Sequence, residues 1–298
     1  GPVAPGEQEE GEKMDQWTID KARDWYLTQP WLVGCNFLPS TAVNQLEMWQ
    51  ADTYDAETID RELSWAEDLG FNTLRVYLHD LVWSHDPDGF AKRIDHFLGI
   101  ADHHGMRVIL VLFDDCHRPD PEIGVQPLPV PRVHNSGWKH SPGQKLVLQF
   151  HDGTVAASEK KRLKEYVQGV LTRFKDDERV LMWDLYNEPG QTGNGDKTNV
   201  LLKLTWEWAQ DIRPSQPLPS AWGTTPIQRP YWVKIGTSSP RRLSTVALSN
   251  TALTPAPLFN CMATIASTIV PGIRRIMKKT MRLTTNTVGI ISSSLLIM

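Results

Sequence analysis

Two uninterrupted apolar runs, RVILVLF at 107–113 and VLMWDLY at 180–186, constrain the fold of this chain most. A strand that is apolar on consecutive residues is covered on both faces, which points to a parallel sheet packed under helices. Strand-like runs also fall at 31–37, 71–78 and 218–222. Helical periods lie between them, at 56–69, 89–104, 159–174 and 199–212, and Ile59, Leu63 and Ala66 share one face of the first. A shorter helical pattern surrounds Ile19, Ala22, Trp25 and Tyr26. The alternation predicts parallel strands joined by crossover helices. A doubly wound nucleotide binder carries a Gly-rich turn after its first strand. Here that turn is FLPSTAVNQ, with neither GxGxxG nor GxxxxGK[ST]. The expected fold is therefore an α/β TIM barrel, (β/α)8, recognisable through about the first five βα units. A chain of 298 residues is long enough for one such domain, which typically needs ~250.

The chain is not uniform along its length. Residues 1–13 are rich in Gly, Pro and Glu and read as a disordered leader. Asp211 is the last acidic residue; the 87 positions after it hold ten Lys or Arg. The first 211 residues carry 21 basic and 35 acidic residues, a net charge of −14, against +10 beyond them. Ser and Thr become dense and the strand and helix periods fade. A shift of reading frame within 215–235, an alternative terminal exon and a genuine basic tail each account for this break. The overall net charge of −4 argues against a nucleic-acid partner, and the basic tail lacks the interleaved aromatics of single-strand binders. No apolar run reaches the length of a membrane span. Cys35, Cys116 and Cys261 make no disulfide framework and no CxxC pair, so neither a structural zinc nor any cofactor is expected. The chain opens on Gly rather than Met and shows no secretion signal, which leaves secreted and cytoplasmic locations both open.

The strongest chemical signal is WDLYNEP at 183–189, a buried strand that ends in Asn-Glu-Pro. In a barrel, the C-terminal strand ends form the active-site face. Glu188 is thus expected to project into the mouth, with Asn187 beside it placed to bond a substrate hydroxyl. Pro189 ends the strand because it has no N–H for the ladder. A carboxyl in such a place suits glycosidic cleavage, in which an acid of raised pKa protonates the leaving oxygen and a second carboxylate serves as nucleophile or base. Arg75 lies inside the 71–78 run and needs a carboxylate partner, because an unpaired buried charge is costly. That partner is either the nucleophile or a structural acid within the barrel. His79 at the same strand end fits substrate contact or loop packing. The 107–113 run ends in Asp114 and Asp115, placed to bind sugar hydroxyls; a metal is the weaker option there. The long connection 116–157 contains VHNSGW, which makes His134 and Trp138 substrate-binding candidates, and connections of that length are usually functional. Trp49, Trp83 and Trp222 are further candidate sugar platforms, and each also fits ordinary packing. Twelve Trp in the chain suit either use.

The segments WLVGCNFLPSTAVNQLEMWQ, RVYLHD and WDLYNEP together resemble glycoside hydrolase family 5, the cellulase and mannanase group of retaining (β/α)8 glycosidases, over roughly 15–225. The resemblance implies a catalytic domain at 14–225, followed by an atypical tail at 226–298. It implies that Glu188 is the acid/base, that Asn187 contacts the sugar next to the cleaved bond, and that Arg75 supports the nucleophile in a double-displacement reaction. The implied partner is a β-1,4-linked glucan or mannan, met by a monomer. The family's nucleophile is a Glu at the end of the seventh strand, and here no Glu follows Glu207, which lies in a helical period. This chain is therefore expected to be impaired. Asp114 or Asp115 acting as base in an inverting reaction is one escape. A pseudoenzyme that binds carbohydrate through Trp49, Trp138 and Asn187, or a defective product with no function, are the other readings.

Overall fold

The computed structural model describes residues 17–219, with the exception of 134. The leader, the tail from 226, His134 and Trp222 lie outside the described residues. The elements run α1 (Ile19–Thr28), β1 (Gly34–Asn36), α2 (Gln45–Trp49), α3 (Ala56–Asp68), β2 (Thr73–Tyr77), α4 (Asp80–His85), α5 (Pro87–His103), β3 (Arg107–Asp114), α6 (Gln144–His151), α7 (Ala157–Phe174), β4 (Val180–Asn187), a short 3-10 turn (Gly195–Thr198) and α8 (Asn199–Ile212). No helix among these is long and apolar enough to cross a membrane.

Capping residues set where α3 and α5 begin. The Asp55 side chain accepts from Thr58 N at 3.0 Å and starts α3. Asp86 does the same for α5, accepting from Gly89 N at 2.9 Å, with Pro87 pre-set for the first turn. Each helix then buries one stripe: Ile59 and Leu63 from α3, Phe90, Ile94 and Phe97 from α5, and Leu163, Val167 and Val170 from α7.

The strands pair in parallel in the order β1-β2-β3-β4. A doubly wound sheet reverses its strand order at a switch point; this one does not, and it follows the sequential winding of a barrel. All eight residues of β4 are buried, as its apolar run requires. Beyond α8 the chain returns to β4, where Trp183 N donates to Pro217 O and Leu185 N to Pro219 O, both at 2.9 Å. The run expected at 218–222 thus begins to line β4, and its remainder lies outside the described residues.

Two differences from the sequence reading have physical causes. The first strand spans Gly34–Asn36 rather than 31–37, because the Asn72 side chain accepts from Val33 N and donates to Trp31 O, both at 2.8 Å, in place of a ladder. The 116–157 connection contains α6, directly after Pro142 and Gly143. Backbone pairing of Asp114 with Ser141 and of Arg118 with Lys139 folds this connection back over the end of β3.

Candidate active site

The C-terminal ends of β1 to β4 converge on one polar cluster. The register sets Asn36 beside Arg75 and Asp114 beside Asn187. Arg75 forms an ion pair with Asp184 through Nη2, and its Nε donates to the same Asp184 oxygen at 3.1 Å. Its Nη1 donates to Asn36 Oδ1 at 3.2 Å and to the Tyr77 hydroxyl at 2.5 Å. Its Nη2 also donates to Asn187 Oδ1 at 2.8 Å. Of the two partners the sequence left open for Arg75, the described residues supply the structural acid, Asp184.

Asn187 is locked from three sides. Its oxygen accepts from Arg75, and its Nδ2 donates to Asp114 Oδ1 at 2.6 Å and to Cys116 Sγ at 3.3 Å. Asp114 Oδ2 meets His117 Nδ1 at 2.5 Å, and His117 Nε2 lies 3.4 Å from Cys116 Sγ. Burial acts to raise the Asp114 carboxyl, but the charge and hydrogen bond of His117 and the Asn187 amide outweigh it and hold the group below the usual carboxylate range.

Glu188 follows directly after β4, half-buried, with φ at +45°, a left-handed conformation uncommon for a residue with a side chain. Pro189 closes the strand behind it. Burial raises the Glu188 carboxyl, and the Asp114 charge adds to this. A hydrogen bond with Cys116 and the charges of His117 and Arg75 oppose the rise without cancelling it. A partly buried acid beside a fixed negative charge is the arrangement that keeps a proton available for donation.

Several sequence candidates take other roles. Trp49 is fully buried, donates from Nε1 to Tyr77 O at 2.8 Å, and packs on Phe90 and Phe97, so no ring face is left for a sugar. Trp83 is likewise core, set against Tyr166. His79 is fully buried and caps α4, its Nδ1 accepting from Leu81 N at 3.2 Å; it is a packing residue. Asp114 is 1% exposed and faces Asn187 and His117 rather than the mouth. Asp115 is also fully buried; it accepts from Tyr186 Oη and Gly190 N, both at 2.9 Å, and from Thr198, tying β4 to the turn before α8. Those bonds remove it as a candidate base. Trp138 does reach the site, half-buried, its ring 5.0 Å from both Tyr77 and His117. Asn36, Tyr77, Cys116, His117 and Asp184 were not among the site residues expected from the sequence. The signal for the middle pair was CH directly after the strand-ending acids, but their convergence depends on how the 116–141 connection folds back.

Sequentially wound parallel strands, with an Asn-Glu pair at the end of the fourth and an Arg on the second, are the arrangement of the first part of a (β/α)8 barrel. A family model described as cellulase, glycosyl hydrolase family 5, matches residues 34–218. The chain belongs to that family. Similar solved structures include a β-mannanase from the blue mussel Mytilus edulis, at 11% identity and a TM-score of 0.44, covering 65% of this chain and 59% of that one. An exo-β-1,4-mannosidase from Opitutaceae bacterium strain TAV5 is 19% identical with a TM-score of 0.46, covering 65% and 32% respectively. An endo-1,4-β-mannanase from Rhizomucor miehei is 16% identical with a TM-score of 0.44, covering 68% and 60%. The chain thus spans less than two thirds of each of these proteins. No curated protein matches the chain.

Proposed function

We propose that the chain carries the proton-donating half of a glycosidase site for β-1,4-linked glucan or mannan, with residues 14–225 as the N-terminal portion of the catalytic domain. Glu188 is the acid/base, Asn187 meets the sugar beside the scissile bond, and Trp138 offers a ring at the mouth. Arg75 acts as a positioning residue, orienting Asn187 from below through its bond to Oδ1. The observation that carries this reading is the half-buried Glu188 carboxyl at the end of β4, raised by burial and by the neighbouring Asp114.

Retention by double displacement needs a second carboxylate opposite the acid. No Glu follows Glu207 in this sequence, and Glu207 sits on α8. A chain that meets the sugar without that second carboxylate binds β-linked oligosaccharide with little or no turnover, and a carbohydrate-binding pseudoenzyme is the second reading. The test is calorimetric binding of β-1,4-gluco- and mannooligosaccharides, together with hydrolysis of aryl β-glycosides, on the parent and on Glu188→Gln. Binding with hydrolysis that disappears in Glu188→Gln supports the enzyme; binding without hydrolysis in either supports the pseudoenzyme. Absence of both overturns the proposal.

A further inference from the structure

Cys116 and His117 stand apart from the proposed sugar chemistry, and their geometry has a use of its own. Cys116 Sγ lies 3.4 Å from His117 Nε2. A tetrahedral zinc-like ion with a thiolate at ~2.3 Å and an imidazole at ~2.0–2.1 Å holds those two atoms roughly 3.5 Å apart. The far side of the imidazole is already gripped, because His117 Nδ1 meets Asp114 Oδ2 at 2.5 Å. A carboxylate on one ring nitrogen orients the other toward a metal and raises its basicity. Ligand atoms of Asp114, Cys116 and His117 all lie within 4.8 Å of one another. Asp114 and His117 are buried and Cys116 is half-buried, so sulfur, nitrogen and oxygen ligands are gathered where water is scarce.

We propose that Cys116 and His117, with the Asp114 carboxylate beside the His117 ring, form a binding site for a thiophilic divalent cation such as Zn2+ or Cd2+. Coordination replaces the S–H bond of Cys116 by a sulfur–metal bond, and the proton leaves to bulk water. The cation offsets the placing of a thiolate beside a carboxylate. A sulfur and a nitrogen among the ligands select against Mg2+ and Ca2+, which prefer oxygen sets.

The experiment is a Cd2+ titration of the full chain, followed by the thiolate-to-cadmium charge-transfer absorption and by calorimetry, with Mg2+ in excess as competitor. The expected result is one Cd2+ per chain, insensitive to Mg2+. The absorption is lost in Cys116→Ser and retained in Cys35→Ser and Cys261→Ser. Asp114→Asn is expected to weaken binding about 10–100-fold, as for other ligand-orienting carboxylates. Alkylation of the unmutated chain, mapped by peptide mass spectrometry, gives a reading that needs no variant: Cd2+ or Zn2+ slows modification of Cys116. An absorption that persists in Cys116→Ser, or alkylation of Cys116 at the same rate with and without metal, overturns the site.

Discussion

Arg75 joins four neighbours at the strand ends, and its energetics follow from the company it keeps. Its side chain is 12% exposed and that of Asp184 5%, so the pair lies largely out of water. Removing one member of such a pair strands the other charge, at a cost of about 3–5 kcal/mol, whereas replacing both by apolar residues is often close to neutral. Arg75→Met is therefore expected to lower unfolding stability by that amount in urea titrations, and Arg75→Met combined with Asp184→Leu to recover most of it. Equal losses in the single and double variants would mean that the bonds to Asn36, Tyr77 and Asn187 dominate. Glu188 gives a pH-dependent counterpart. Burial raises its carboxyl, so the folded chain keeps the proton where the unfolded chain has lost it. The folded state then loses stability as pH rises from the ordinary glutamate value, about 4.3, through the raised folded value. Glu188→Gln stays neutral throughout. Thermal melts are expected to show the variant gaining on the parent as pH rises from acid to neutral; a gap independent of pH would contradict the shift.

Between elements, close approach and charge matter most. β1 reaches β2 because Gly34 has no side chain: a Cβ there would sit 1.7 Å from Thr73 O. Gly34→Ala forces the two strands apart and is expected to cost about 1–3 kcal/mol in overpacking strain, read as a lower denaturation midpoint. Unchanged stability would mean that β1 contributes little. The far end of α5 is tied to α3 by His104, whose ring nitrogens lie 2.8 Å from Glu67 and 2.9 Å from Asp60. Burial acts to lower this imidazole, and the two carboxylates raise it overall. A raised histidine contributes fully below its unfolded value of about 6.5 and loses that contribution as pH rises through the folded value. His104→Gln is thus expected to lower Tm more on the acid side of that window than on the alkaline side, and the opposite ordering would contradict the network.

At the scale of the molecule, what could be read from the sequence divides along physical lines. β3 and β4 were legible because both faces are covered, which leaves an unbroken apolar run. α3, α5, α7 and α8 were legible because each spans several turns with one apolar stripe. Asn187 and Glu188 followed from the end of β4 and Arg75 from its place on β2, and the structure brings all three together. Trp49 and His79 were left between sugar contact and packing for one reason. α2 and α4, of five and six residues, are too short to show a period, and they turn side chains that follow a strand into the core. Cys116 and His117 were missed because their meeting depends on backbone pairing between 114 and 141, across a connection whose path no local pattern records. The central claim, that the whole strand-end cluster holds Glu188 ready to donate a proton, is tested most directly by a 13C NMR titration of its side-chain carboxyl in the full chain, assigned by its loss in Glu188→Gln. The expected midpoint lies above the ordinary glutamate value of about 4.3 and falls when Asp114→Asn removes the neighbouring charge. A midpoint at or below the ordinary value, unmoved by Asp114→Asn, would contradict the account.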